Sequence, residues 1–204
     1  MKLIPFAAAA FIAAASAPAF SATVNIDFED QISFAPLNLA SAPYGITANS
    51  ALLGLANDGS GSGSLGEFFS NTPTGGSVVM FATEPLAAGQ RAEIAITAGS
   101  FLNSVSFYYS AAEAGRVDVR DSAGLSLGTF NFTANSTSST SPFNTWGVGS
   151  IAFTGAAYSI DFTNIGNTAI DNVSVSAVPL PAAALLFPLG AAALGASARR
   201  KRKA

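Results

Sequence analysis

Between residues 22 and 177 the chain is written in short apolar–polar alternations separated by turn residues. "TVNIDF" alternates Val24, Ile26 and Phe28, and "GRVDVRD" alternates Val117 and Val119. "SVVMFAT", "RAEIAIT", "GSIAFTG", "AYSIDFTNI" and "AIDNVSVSA" continue the series. A period of two puts every second side chain on one face, which is the pattern of a half-buried strand. In "FLNSVSFYY", Leu102 is out of phase with Val105, Phe107 and Tyr109. In "LSLGTFNFT" the phase slips near Gly128, which predicts a bulge. Helical spacing is confined to "AAEAG" at 111–115, one turn at most. The pattern predicts an all-β antiparallel β-sandwich, a jelly roll of about nine to eleven strands. "NDGSGSGSLGE" (57–67) and "TANSTSSTSP" (133–142) have little to bury and read as loops.

Charge and residue absences narrow the chemistry. Of nine Lys and Arg, six are Lys2 and a C-terminal cluster, so only Arg91, Arg116 and Arg120 fall in 22–177. All twelve acids fall there too, which gives this piece a formal charge of −9. Nucleic acid is excluded as a partner, because phosphate contact needs Lys and Arg. Histidine and cysteine are absent from the chain. That removes Ser-His and Cys-His nucleophile pairs, disulfides and His- or Cys-ligated zinc. Paired carboxylates remain the one catalytic option, and no spacing selects a pair, so the expectation is a protein that is not an enzyme.

The two ends carry different signals. "MKLIPFAAAAFIAAASAPAF" has one early cation and an apolar stretch, and small residues follow at Ala17, Ala19, Ser21 and Ala22. This reads as a secretory signal peptide, residues 1–21, with cleavage within 19–22. At the other end, Val178 to Ala198 contains no charged residue. As a helix that stretch is long enough for a bilayer core of about 30 Å. Arg199, Arg200, Lys201, Arg202 and Lys203 follow it, and such a cluster stays on the cytoplasmic side. The expected organisation is a signal peptide (1–21), a β-sandwich ectodomain (22–177) and a C-terminal segment (178–204) holding a transmembrane helix.

"VPLPAAALLFPLGAAALGASARRKRKA" also resembles the VPLPA variant of the PEP-CTERM sorting tail of Gram-negative bacteria. The parts match in order: a Pro-containing motif, an apolar helix and a terminal basic cluster. Leu180 stands where the common form has Glu. The resemblance implies that Val178, Pro179, Leu180, Pro181 and Ala182 form the sorting motif. It also implies an exosortase-type membrane transpeptidase as partner, and an exported protein that is membrane-inserted and then released to the cell surface or beyond. The run from "SFYYS" to "IDNVSV", roughly residues 100–176, is similar to jelly-roll ectodomains and to carbohydrate-binding-module-like sandwiches. A structural or adhesive role in the envelope or an exopolysaccharide is then expected; a carbohydrate-binding module with a specific glycan ligand is the alternative.

Two constellations are candidates for a site. "DFED" opens the first strand and "IDNV" lies near the last, and these strands tend to be neighbours in a jelly roll. The resemblance to sandwich modules implies one structural Ca²⁺ there, with Glu29, Asp30 and Asp171 as ligands; turn chemistry is the other reading of the same acids. Asp58, Ser60, Ser62 and Gly63 echo an EF-hand loop, but its twelfth position is Phe69 instead of a bidentate acid, so a plain loop is expected. Tyr108 and Tyr109 point to opposite faces of their strand, and Trp146 follows a polar loop. Tyr108 and Trp146 are therefore candidate ligand-stacking residues, with ordinary packing as the other reading.

Overall fold

The computed structural model describes residues 22–57, 68–82, 86, 91–136, 143–163 and 165–179. Eleven strands form among them: β1 (Ala22–Ile26), β2 (Ile46–Ala48), β3 (Leu52–Ala56), β4 (Val78–Ala82), β5 (Ala92–Ile96), β6 (Gly99–Ala111), β7 (Gly115–Arg120), β8 (Ser126–Phe132), β9 (Gly147–Ala152), β10 (Ser159–Thr163) and β11 (Thr168–Pro179). One 3-10 turn, Pro43–Gly45, precedes β2. The first sheet has the order β3-β4-β11-β6-β9, with β1 also paired to β11, and the second has the order β2-β5-β10-β7-β8. All strand pairs are antiparallel. After β4 the chain changes sheet at every connection except β7 to β8. The fold is an antiparallel β-sandwich.

The predicted alternation sets the core. Val117, Val119, Ile160, Phe162, Ile94 and Ile96 from the second sheet meet Val105, Phe107, Ile170, Val173 and Val175 from the first. Each is at most a few per cent exposed. The phase slip expected near Gly128 is present: Val119 pairs Gly128 while Arg120 pairs Ser126, which leaves Leu127 as the extra residue. A second irregularity separates the Asp171 and Ser174 pairings of β11, and Asn172 adopts φ 50° within it.

Strands β2 and β3 are absent from the alternation read above. β3 is "LLGLA", buried on both faces, so it cannot alternate. One face joins the main core, and the other joins a smaller cluster of Leu55, Phe69, Val79, Phe143 and Ala169. The segment 33–37 covers the free edge of β3 through Phe34 N–H to Gly54 O and Leu37 N–H to Leu52 O. Gly54 is required there, because a Cβ would lie 2.8 Å from the Ile32 carbonyl oxygen.

The last strand runs two residues past the expected boundary at 177, with Val178 paired to Ser100 and Pro179 to Gly99. The expected signal peptide, the apolar stretch beyond Pro179 and the basic cluster lie outside the described residues, as does the Asp58–Gly63 stretch.

Candidate functional site

The outer face of the first sheet carries a row of short polar side chains. Asn25, Ser174, Ser106 and Ser150 stand opposite one another across β1, β11, β6 and β9. Directly opposed residues share a face, so their hydroxyls and amide line up across four strands. Two residues along β6, Tyr108 stands opposite Val148 on one side and Asp171 on the other. Val148 is 63 % exposed. Tyr108, Val148, Asn172, Ser174, Ser106 and Asn25 surround an open depression of about 270 Å³. It joins one aromatic and one aliphatic wall to a floor of hydrogen-bonding groups. Tyr109 takes the opposite role: its ring packs 5.0 Å from that of Phe132.

Beside this depression lies the acid corner. β1 does pair β11, so the first and last strands are neighbours, as the acids were expected to require. Glu29 accepts from the Ser77 backbone N–H at 2.9–3.0 Å and, more loosely, from that of Val78. This ties the turn 71–77 to the end of β1. From the same turn, Thr74 Oγ1 donates to Asp171 Oδ2 at 3.3 Å and accepts from Asn172 Nδ2 at 2.8 Å. Asp171 is 0 % exposed, and its Oδ1 has no hydrogen-bond partner. Burial pushes its pKa up to about 6; hydrogen bonds from Asn172 and Thr74 act against the rise, and the Glu29 charge adds to it. Asp30 stands apart from this pair: it is exposed, bonds to Gln31 and faces a different depression with Asp27 and Ser41. Among the described residues no three His, Cys, Asp or Glu side chains come together. The corner thus offers two carboxylates, Glu29 and Asp171, and one hydroxyl, that of Thr74, while Asp30 is not part of it.

Trp146 departs from the stacking expectation. It is half-buried against the small cluster around Phe69 and Phe143, and its indole N–H donates to the Ser70 carbonyl at 2.8 Å. Its polar edge is committed to joining two loops, so it packs instead of presenting a free platform.

The second sheet places charge where the sequence reading had assigned no role. Glu93, Asp161, Asp118 and Thr129 are in register across β5, β10, β7 and β8 on the outer face. Arg91, Arg116 and Arg120 converge on them. Arg116 Nη2 lies 2.6 Å from Asp118 Oδ1, and Arg91 Nη1 lies 2.9 Å from Asp161 Oδ2. Arg120 reaches both acids, with Nε 2.5 Å from Asp161 Oδ2 and Nη2 3.5 Å from Asp118 Oδ2. Both acids are 2 % exposed. Burial alone would raise the Asp118 pKa, but bonds from Arg116 and Thr129 and the two guanidinium charges leave it lowered. Glu93 is raised, by burial first and then by Asp161. The signal was in "GRVDVRD": with Val117 and Val119 inward, Arg116, Asp118 and Arg120 must share the outer face.

No protein-family profile and no curated protein matches the chain. Solved structures do. The K2 cleaved adhesin domain of Lys-gingipain aligns with a TM-score of 0.51 and 14 % identity, over 76 % of this chain and 99 % of that one. The two share a fold. A family 29 carbohydrate-binding module complexed with mannohexaose aligns at a TM-score of 0.43 and 14 % identity, over 77 % of this chain and 92 % of that one. A family 43 arabinoxylan arabinofuranohydrolase from Bacillus subtilis aligns at 0.40 and 18 % identity, over 66 % of this chain and 27 % of its own. At these identities the likeness concerns the β-sandwich alone.

Proposed function

We propose that this β-sandwich is an exported, non-catalytic adhesive module that holds saccharide chains of an envelope or exopolysaccharide in the Tyr108 depression. The depression itself carries the reading. A sugar ring has an apolar C–H face and a polar rim. Tyr108 and Val148 offer an apolar wall, while Ser106, Ser174, Asn25 and Asn172 offer donors and acceptors along the same face. A few placed polar groups beside an aromatic are what a small-ligand site needs. The likeness to an adhesin domain is compatible with this role, as is a domain of formal charge −9 that lacks nucleic-acid chemistry. The second sheet is the poorer candidate, because its three guanidiniums are already paired to Asp118 and Asp161. A carbohydrate-binding module with one defined glycan is the narrower form of the same reading. A glycan array probed with the full chain separates the two: a broad polysaccharide response supports the matrix role, and one sharp hit supports the narrower one. Loss of all signal in Tyr108→Ala is expected in either case, and signal unchanged by that substitution contradicts both.

Export and processing belong to the same proposal and are supported by the sequence of the two ends. A leader over 1–21, an apolar stretch from Val178 to Ala198 and five following cations suit insertion with the sandwich outside. Processing by an exosortase-type transpeptidase near Pro181 would then remove the basic tail. Mass spectrometry of protein from a host carrying such an enzyme should find C-termini lacking Arg199–Lys203. Recovery of full-length C-termini alone would count against it.

A further inference from the structure

We infer, resting on the saccharide reading of the Tyr108 depression, that its ligand is an uncharged, extended, β-1,4-linked sugar chain that crosses the strands of the first sheet, one sugar to a strand. The direction comes from two parallel rows. Asn25, Ser174, Ser106 and Ser150 form one row across β1, β11, β6 and β9. Tyr108 and Val148 form the second, across β6 and β9, about 7 Å further along the strands. Both rows run across the strands, so the polar floor and the apolar wall make a groove with that direction. A chain laid along one strand would keep a single sugar between floor and wall and carry the rest past them.

The spacing fits such a chain. Neighbouring strands lie about 4.8 Å apart, close to the advance per residue of an extended β-1,4-linked hexose chain, whereas an α-1,4-linked chain coils. Each sugar then meets one hydroxyl or amide of the floor. Those groups are uncommitted: among the described residues none bonds to the side chains of Asn25, Ser106, Ser150 or Ser174. The outer face of the second sheet is the opposite case, because Asp118, Asp161, Thr129 and the three arginines satisfy one another.

Charge selects against acidic sugars. Asn25, at the β1 end of the floor, also lines a second depression of about 190 Å³, which Asp27 and Asp30 line as well. No cation offsets these acids: Arg91, Arg116 and Arg120 are the only ones between residues 22 and 177, and each is paired with Asp118 or Asp161 on the other sheet. A uronate entering the groove would meet these carboxylates within a domain of formal charge −9. Like charge set against like is a means of rejecting the wrong partner.

The test is calorimetric titration of the full chain with cello-oligosaccharides of increasing length from cellobiose to cellohexaose, beside maltohexaose and cellohexaose oxidised to the uronate. Each sugar added up to the tetramer should tighten binding about threefold, one hydrogen-bonding contact at a time. Longer chains should gain nothing further, since the floor spans four strands. Maltohexaose should bind more weakly than cellohexaose. The uronate should bind about tenfold more weakly, and salt should narrow that gap. Asn25→Leu and Ser150→Leu alter exposed residues at the two ends of the floor. Both should weaken cellohexaose and leave cellobiose unchanged, at unaltered melting midpoints. Ser104→Leu lies on the same face of β6 but off both rows, so it should change neither. Binding that is lost in Ser104→Leu and kept in both end variants would run the chain along the strand and overturn the inference. So would affinity independent of chain length, or equal binding of maltohexaose or of the uronate. Failure of every cello-oligosaccharide, while a glycan array still shows binding that depends on Tyr108, overturns this inference alone. Absence of binding to any glycan overturns the saccharide site with it.

Discussion

Phe107→Ala should lower the unfolding free energy by about 3–5 kcal/mol, the usual range for a buried Phe truncated in a core. Phe107 is 2 % exposed and sits at the centre of the sandwich. Its ring meets Phe130 edge-on at 5.7 Å and lies over Gly149, its cross-strand partner on β9. A Cβ at Gly149 would fall inside the ring's van der Waals surface, and one at Gly147 would lie 2.9 Å from Tyr109. The two glycines of "WGVGSIA", Gly147 and Gly149, are thus seats for Tyr109 and Phe107 of "SFYY". Gly149→Ala alone should therefore destabilise by about 1–3 kcal/mol through overpacking. In the Phe107→Ala background the same change should cost almost nothing, because the obstacle is gone. Urea unfolding of the four proteins reads this directly as a shift in midpoint. Additive losses would mean that the ring does not rest on Gly149.

Asp161→Ala should be nearly as damaging, at about 3 kcal/mol, for a different reason. The carboxylate is buried between Arg120 and Arg91 and also accepts from Ser159 at 3.1 Å. Removing it leaves the largely covered guanidinium of Arg120 with the longer Asp118 contact at 3.5 Å and the Gly124 carbonyl, and breaking a buried pair from one side costs far more than the pair contributes net. Arg116→Ala offers the contrast. That side chain is half exposed and its charge is screened by water, so its loss should change stability far less than the loss of Asp161. Salt should narrow the Arg116 effect and leave most of the Asp161 effect. Equal losses for the two variants would contradict the view that the acids, not the arginines, are the buried members of the network.

The legible parts of the fold were those where one face is polar. β1, β5, β7 and β10 alternate because their outer residues are polar, and the Gly128 slip was readable as a phase change within one run. β3 was not legible, since packing on both faces erases alternation, and β2 has only three residues. The acid corner was half legible. Neighbouring first and last strands bring Glu29 and Asp171 to one place, but Thr74 arrives from a turn some hundred positions away in sequence from Asp171, and no local pattern announces it. Asp30 misled because adjacent residues at a strand end face different ways. Trp146 misled because a polar loop beside an aromatic looks the same in sequence whether the loop covers the ring or leaves it bare. The Arg–Asp network required combining a two-residue period with the scarcity of cations, both of which the sequence displays.

The most direct measurement of the central proposal is a binding titration of the full chain against purified exopolysaccharide from a producing host, with Tyr108→Ala and Val148→Asp alongside Ile32→Ser. Ile32 is exposed and lies outside the residues lining the depression, so its variant controls for general surface change. Loss of one apolar wall should weaken binding by about tenfold, which corresponds to about 1.4 kcal/mol. Saturable binding by the wild type and by Ile32→Ser, with both depression variants weakened at unchanged melting midpoints, is the predicted result. Equal affinity in all four proteins, or no saturable binding by the wild type, would contradict a saccharide site at Tyr108.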